Sequence, residues 1–386
     1  MKRVPRFVWT IALCLVCIVV TAVACLLSAD KGASSDKYLE IIKVINDNFY
    51  EEREVANLED ASARAMLASL EDPWSHYMTV EEYAEYNLSA TNQYIGIGIT
   101  TEFSEKYGYL AVTYVAPGSP ADLAHIRVGN MIEAVGNTDV SAYTPEQLDE
   151  LFRSYDAMEE EEQKYFTVHL LNTQGGRASA TLKCELIYAE PVTYSTVQDE
   201  YGNYSIGYCV ISNFDDSSAA SLKKAVEALN KQGVKSLILD VRNNSGGKTA
   251  ELAEALDFLL PKGDLFVLRD RNDKEVTYSS DKSSVKLPMV VLINENTACE
   301  AEMFAQVLQE NGTSILVGTA TGGYSQSQTT VELTDGSAVR ISKYLYLTTE
   351  RKTLDQLGGV KPNITSYDIE DSTLDVQLEA AKDAAS

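Results

Sequence analysis

Three stretches of this chain set side chains or backbone where chemistry could be done. Val290-Val291-Leu292-Ile293 is followed by Asn294-Glu295-Asn296-Thr297-Ala298 and then Cys299-Glu300-Ala301-Glu302, the pattern of a strand, a turn and a helix start. Cys299 falls at the turn, where strand–turn–helix elbows carry a nucleophile. The N–H groups and dipole of a helix N-terminus favour thiolate over thiol. A buried, inert cysteine at a helix start fits this segment as well. In the second stretch, Leu239-Asp240-Val241-Arg242-Asn243-Asn244-Ser245-Gly246-Gly247 leaves an apolar run and leads into a helical pattern. Gly246 and Gly247 would present backbone N–H groups at a helix N-terminus, suited to an oxyanion or a phosphate. A plain turn before a helix gives the same residues. The third stretch, Gln93-Tyr94-Ile95-Gly96-Ile97-Gly98-Ile99, opens a strand with spaced glycines. Gly96 and Gly98 let successive N–H groups of Tyr94–Gly98 face one concavity, which captures an anion such as a peptide C-terminal carboxylate. A β-bulge would also place glycines there.

The elements that must position these residues follow from periodicity. From Lys37 to about Asn87 the pattern is helical: Leu39, Ile42, Val44 and Ile45 recur at helical spacing, as do Ala63, Met66, Leu67 and Leu70. Asp72-Pro73 should stop the second helix, and Thr79-Val80-Glu81-Glu82 should cap a third. From Thr91 to Ile187, short β-branched runs such as Tyr109–Val115 and Phe166–Leu170 are separated by Pro117-Gly118 and Gly175-Gly176, with one helix from Thr144 to Phe152. Glu159–Glu162 reads as a solvated loop. From about Glu190, strands at Ile206–Ile211, Leu237–Val241, Leu265–Leu268, Met289–Ile293 and Ile315–Val317 alternate with helices marked by Leu222–Leu229, Leu252–Leu259 and Ala301–Leu308. Such alternation specifies an α/β layer fold. The acidic residues from Asp371 onward read as a fraying helix.

Composition removes several classes of function. The chain has 386 residues, of which 32 are Lys or Arg and 57 are Asp or Glu, a formal net charge of −25. Nucleic acid is not an expected partner, because phosphate binding needs a surplus of basic residues. Only His76, His125 and His169 are present, too few for a His-rich metal site or a His-based triad, and the six Cys form no disulfide framework and no paired-Cys zinc motif. No metal and no cofactor is expected. At the N-terminus Lys2, Arg3 and Arg6 precede 23 uncharged residues, Phe7–Ala29. That length spans a bilayer, and the leading positive charge keeps the N-terminus inside. The expectation is a single-pass signal anchor in the cell membrane with the bulk of the chain extracytoplasmic. Cleavage after Ala29 and lipid attachment at Cys25 are the alternatives.

Two resemblances join these pieces. Ala116-Pro117-Gly118-Ser119-Pro120-Ala121-Asp122-Leu123-Ala124, followed by Val128-Gly129-Asn130-Met131-Ile132, resembles the PDZ domain. The resemblance implies an extended peptide on a sheet edge with its carboxylate at Gly96–Gly98. His125 and Asn130 stand where that family usually has Gly and Asp. Adding Asp72-Pro73-Trp74-Ser75-His76-Tyr77, Ile206-Gly207-Tyr208 with Phe214, Asp240–Gly247 and Gly359-Val360-Lys361-Pro362-Asn363, the chain resembles the C-terminal processing peptidases, or tail-specific proteases. That family is similar in core fold to the crotonases and cuts exported proteins near their C-termini with a Ser nucleophile and a Lys base. The implied organisation is an α/β fold: a membrane anchor at 1–29, a linker and N-terminal helical region at 30–90, and an inserted-type β-rich PDZ domain at 91–188. A crotonase-like α/β core at 189–370 and an acidic tail at 371–386 complete it. The implied partners are peptide or protein C-terminal tails and the membrane, and an oligomer is compatible with the family.

Carried over residue by residue, the family's Ser falls on Cys299 and its Lys on Tyr324, 25 positions later. Its supporting Gln falls on Gln328, which is retained. Gly246, Gly247 and the N–H of Glu300 become the implied oxyanion donors. Ser to Cys keeps a nucleophile. Lys to Tyr removes the base, because a phenol with pKa about 10 stays neutral near pH 7. Thr348-Thr349-Glu350-Arg351 departs from the family's Pro-Ser-Gly turn, and Lys343 and Lys352 lie on later elements. Three functions stay open: a pseudo-peptidase that binds tails without cutting, a peptidase using Cys299 with a recruited base, and a structural partner of an active relative.

Overall fold

The computed structural model describes residues 33–49, 55–199, 201–281, 284–368 and 374–386. The expected anchor at 1–29 lies outside the described residues, and among the described residues no helix is long and apolar enough to cross a membrane. The chain divides into two compact units at Tyr77/Met78.

The first unit carries α1 (Ala33–Asn48) and α2 (Val55–Ala68). Helix α1 begins at Ala33, near the start of the linker and helical region expected at 30–90. Helix α2 closes at Ala68, ahead of the Asp72-Pro73 stop. The Tyr77 hydroxyl donates to Asp60 Oδ1 at 2.7 Å and ties the end of this unit to α2.

The second unit opens with α3 (Val80–Ser89), whose start is the expected capping box. Thr79 N–H donates to Glu82 Oε2 at 2.9 Å, and Glu82 N–H to Thr79 Oγ1 at 3.3 Å. A β-rich part follows, made of β1 (Gln93–Gly96), β2 (Ile99–Ser104), β3 (Tyr109–Val115), β4 (Met131–Val135), α4 (Pro145–Asp156), β5 (Phe166–Leu171), β6 (Arg177–Leu182) and β7 (Glu185–Tyr188). Strands β2 to β6 form one antiparallel sheet in chain order, and β1 pairs with β7. Leu110, Ile132, Leu148, Phe152, Phe166 and Val168 close its core. His125 has φ 60°, so the backbone keeps the left-handed turn that glycine usually supplies. Glu159–Glu162 are exposed, as expected, with a short 3₁₀ turn at Glu161–Lys164.

The remaining elements are β8 (Val192–Val197), β9 (Ile206–Ile211), α5 (Ser218–Gln232), β10 (Ser236–Asp240), α6 (Thr249–Leu259), β11 (Gly263–Asp270), β12 (Glu275–Ser280), β13 (Met289–Ile293), α7 (Glu300–Glu310), β14 (Ser314–Gly318), β15 (Gln326–Glu332), β16 (Ala338–Leu347), β17 (Ile364–Thr365) and α8 (Val376–Ala385). The main sheet runs β8–β9–β10–β13–β14–β17, parallel except for the antiparallel β8–β9 pair. A second, antiparallel layer runs β15–β16–β11–β12. The hairpin partner β12 and strand β15 carry no strong alternation in sequence and were not expected.

Side chains alternate across the parallel strands. Leu237 and Leu239, with Val291 and Ile293, face the large core formed with α5, α6 and α7, while Ile238, Val290 and Leu292 face the other way. That other face is covered by α8 through buried Ala381. The stretch expected to be an acidic tail is therefore corrected: its described part, from Leu374, holds a docked helix that completes the sheet's second face. Its acidic residues Asp375, Glu379 and Asp383 are spaced four apart, with Lys382 paired to Glu379 at 2.9 Å, which leaves the intervening Leu378 and Ala381 free to pack.

Candidate active site

Strand β13 ends at Ile293, and the five residues to Ala298 are pinned to the neighbouring β10 loop. Asn294 Oδ1 accepts from Asn243 N–H at 3.0 Å, Thr297 Oγ1 donates to Val241 O at 2.9 Å, and Ala298 N–H donates to Asn244 O at 2.9 Å. This brings the two stretches singled out in the sequence side by side. Cys299 then turns the chain into α7 with φ 52° and ψ −116°. A β-substituted residue there stores strain of about 1–3 kcal/mol, as nucleophile elbows do. The elbow geometry expected for Cys299 is present.

Glu302 holds the elbow shut. Its Oε2 accepts from Cys299 N–H at 3.1 Å and Tyr324 N–H at 2.8 Å; its Oε1 accepts from Gly323 N–H at 2.6 Å and from the Thr321 hydroxyl. The carboxylate is fully buried. It therefore fixes the 321–324 loop against the nucleophile turn. The spacing of Cys299 and Glu302 is that of an N-cap and its N3 partner, a signal legible in sequence.

The thiol is less reactive than a helix N-terminus alone suggests, which corrects that expectation. Burial pushes the Cys299 thiol up, the carboxylates of Glu300 and Glu302 push it further, and Arg340 with the Gln328 side chain pulls it only partly back. Desolvation outweighs the helix dipole here. Gln328 sits on β15, where its Nε2 donates to Gln326 O at 2.9 Å and its Oε1 accepts from Arg340 Nη2 at 3.1 Å. So the retained Gln328 does face Cys299. Arg340, on β16, is a permanent cation that the sequence did not flag. It reaches the site only through pairing of β16 with β15.

Tyr324 is placed by its backbone. Its side chain is 38% exposed, and a Cβ at Gly322 would stand 2.5 Å from its ring. Glu300, Glu302, Arg340 and Gln328 are the groups that act most on the thiol; Tyr324, Lys343 and Lys352 are not among them. Lys343 is exposed beside the Tyr344 ring, 5.0 Å from its centroid, and Lys352 pairs with Glu350 at 2.7 Å. The Thr348–Arg351 turn that departs from the family is closed by Arg351 N–H to Thr348 O at 2.9 Å, with Arg351 at φ 65°.

Gly246 and Gly247 lie beside the elbow, but not at the first turn of a helix, because α6 starts at Thr249. Gly247 has φ 153°, and a Cβ there would stand 2.4 Å from the Phe214 carbonyl carbon, so this close approach requires glycine. Gly246 N–H donates to Asn244 Oδ1 at 2.8 Å, and Gly247 N–H donates to Glu300 Oε2 at 3.1 Å. The expected oxyanion donors thus already have acceptors inside the chain.

In the β-rich part, Tyr94 and Ile95 belong to the β1–β7 ladder with their side chains partly exposed, whereas Ile97 is buried in the core. Gly98 has φ 83° and abuts Ser119, where a Cβ would stand 2.2 Å from Ser119 Cβ. The carbonyls of Ile97 and Gly98 accept from Ala121 N–H at 2.9 Å and Ala116 N–H at 2.8 Å, which fixes the turn. Strand β2, which follows, is an edge strand of its sheet. Burial, together with Asp149 of α4 and Tyr114, raises the Tyr94 phenol, so its ring lies toward that helix.

Residues 205–366 match the profile of Peptidase family S41. The chain is 30% identical over 342 residues to the carboxy-terminal processing protease CtpA of Bacillus subtilis (strain 168), covering 87% of this chain and 70% of that protein. It is 28% identical over 338 residues to a probable CtpA-like serine protease of Staphylococcus aureus (strain MSSA476), covering 86% of this chain and 65% of that one. Among solved structures, it resembles the photosystem II D1 C-terminal processing protease, with TM-score 0.51 and 25% identity over 89% of this chain and 92% of the other. It shares the fold of a putative S41 protease from Bacteroides fragilis NCTC 9343, with TM-score 0.60 and 18% identity over 89% and 96% of the two chains. With a relative 30% identical over most of both chains and the family profile matched across residues 205–366, the chain belongs to peptidase family S41, the CtpA-like C-terminal processing proteases.

Proposed function

We propose that this protein is a pseudo-peptidase: a single-pass, membrane-anchored member of its family that captures the C-terminal tails of exported proteins on the extracytoplasmic side without cutting them. The observation that carries this is the Cys299 thiol, raised by burial and then further by the carboxylates of Glu300 and Glu302, with Tyr324 where a lysine base would stand. A thiol kept protonated and lacking a base attacks no carbonyl. Capture falls to the β-rich part, which we take as a PDZ domain. A peptide would add to the open edge of β2 alongside α4, with its carboxylate at the Gly96–Gly98 turn.

A second reading, a peptidase that uses Cys299, is favoured by one observation: the Arg340 charge and a hydrogen bond with Gln328, to which Arg340 donates, pull the thiol toward ionisation. One experiment separates the two. Peptides ending in a free carboxylate and their C-terminal amides are presented to the full chain and to Cys299→Ala, and both binding and cleavage are followed. The pseudo-peptidase gives binding that needs the free carboxylate and no cleavage by either protein. Cleavage by wild type that vanishes in Cys299→Ala and after thiol alkylation sinks the first reading and establishes the second.

A further inference from the structure

Glu300 follows the nucleophile position, and the family resemblance uses only its N–H. Its side chain lies in an unusual place. The residue is 2% exposed, and both carboxylate oxygens are engaged. Oε1 accepts from the Tyr346 hydroxyl at 2.8 Å, and Oε2 accepts from Gly247 N–H at 3.1 Å. The N–H of Glu300 itself also acts on this carboxylate. A Cβ at Gly246 would stand 2.4 Å from Glu300 Oε2 and 3.0 Å from Cys299 Cβ. One carboxylate oxygen therefore lies over the glycine turn, against which Cys299 Cβ also packs.

The position is built, not incidental. Tyr346 is fully buried; its hydroxyl is 2.6 Å from Thr249 Oγ1, which is 3.2 Å from Ser327 Oγ. These three hydroxyls form a relay that ends on Glu300. A carboxylate withdrawn from water is tolerated only where donors meet it. Here a phenol and two backbone N–H groups do. The two N–H groups, of Gly247 and Glu300, are two of the three expected to receive an oxyanion; the third, of Gly246, donates to Asn244 Oδ1.

We propose that the Glu300 side chain is an internal occupant of the oxyanion cradle, an autoinhibitory carboxylate that holds the place of a substrate's carbonyl oxygen and must leave before a peptide bond can enter. This rests on the reading of Cys299 and the glycine turn as a disarmed peptidase cradle. Restoring the family's dyad alone then leaves the cradle filled. The same carboxylate also explains part of the rise of the Cys299 thiol.

The test uses the full chain and two readouts. In the first, Cys299→Ser with Tyr324→Lys is compared with the same pair plus Glu300→Ala on a C-terminal peptide. The double variant is expected to stay inactive and the triple variant to exceed it by about 100-fold, the worth of one oxyanion donor. Hydrolysis by the double variant equal to that of the triple overturns the proposal. In the second readout, iodoacetamide labelling of each Cys is followed by peptide mapping in wild type, Glu300→Ala and Glu300→Gln. Loss of the charge lowers the thiol pKa, and one unit gives about tenfold more thiolate. Cys299 labelling should therefore rise about tenfold in Glu300→Ala. Buried Cys184 and Cys209, both pushed up to about 12, should keep their wild-type rates and report an intact fold. If they do not, Glu300→Gln, which keeps the shape, decides by the same criterion. Unchanged Cys299 labelling in a folded variant overturns the proposal. Cleavage by wild type would instead overturn the pseudo-peptidase reading, and the labelling would still report on Glu300.

Discussion

At the scale of single residues, the site is organised by two buried carboxylates with different work. Glu300 fills the glycine cradle, and Glu302 ties the nucleophile turn to the 321–324 loop. Glu302 accepts from Cys299 N–H, Tyr324 N–H, Gly323 N–H and the Thr321 hydroxyl, so its loss strands three buried donors and one half-buried one. Each stranded donor costs about 1–3 kcal/mol before water or relaxation compensates. Glu302→Ala is therefore expected to lower stability by about 3 kcal/mol or more, measured as a drop in the denaturant midpoint. A variant as stable as wild type would mean that the loop does not depend on this carboxylate. The Cys299–Glu302 spacing, that of an N-cap and its N3 partner, is a local signal that could have pointed to Glu302. The Glu300 carboxylate was not legible, because an acidic residue in a first helical turn is ordinary and normally faces water.

At the scale of elements, the C-terminal helix α8 is the clearest gain over sequence. Arg242 clamps it: Nη2 contacts Asp240 Oδ2 at 2.7 Å and Asp375 Oδ2 at 2.8 Å, while Nη1 donates to Gln377 Oε1 at 3.1 Å. The Tyr208 hydroxyl adds a bond to Asp240 Oδ2 at 2.7 Å. Arg242→Ala leaves Asp240 buried without its cation, with only the Tyr208 hydroxyl and the residue 242 N–H donating to it, a loss of about 3 kcal/mol. Hydrogen exchange should then accelerate in Val376–Ala385 ahead of the rest of the sheet. Uniform exchange across the unit would count against a local clamp. Burial alone would raise the Asp375 carboxyl, but hydrogen bonds from Arg242 and Leu378 N–H outweigh it and hold the carboxyl below the usual range. A depressed carboxyl stabilises the native state above its unfolded pKa, about 4, and the effect fades as pH falls through the lower native value. Acid should therefore release α8 early, and the Arg242→Ala variant should lose that pH step.

At the scale of the whole second unit, the β-rich part and the α/β part are joined through polar contacts. Asn92 Nδ2 donates to Asp216 O at 2.8 Å, Asn213 Nδ2 donates to Asn92 Oδ1 at 2.7 Å, and Asp216 N–H donates to Ala90 O at 3.3 Å. Asn92 sits at φ 55°, which glycine adopts without strain. Asn92→Gly thus isolates the side-chain bridge and should cost about 1–3 kcal/mol. Faster proteolysis near residues 90 and 190, where the chain passes between the parts, would report the weakened junction. Wild-type resistance there would place the coupling elsewhere. The same helix that precedes Asn92 brings the Tyr86 ring to 5.4 Å from the Arg340 guanidinium, which bonds Gln328. The connection between the parts therefore ends close to the thiol.

By itself the sequence determined the alternation of strands and helices, the capping box at Thr79 and the glycine turns. These are local features: a period or a spacing, each readable within a few positions. Tertiary structure alone decided that Gly247 donates to a residue 53 positions away, that Tyr346 reaches Glu300 across 46, and that Arg242 holds Asp375 across 133. It also brought Arg340 to Gln328 by strand pairing and covered the second sheet face with α8. Such contacts depend on which strands lie side by side and how far each buried charge is withdrawn from water. No local pattern encodes either quantity, so the cradle was visible in the sequence and its occupant was not.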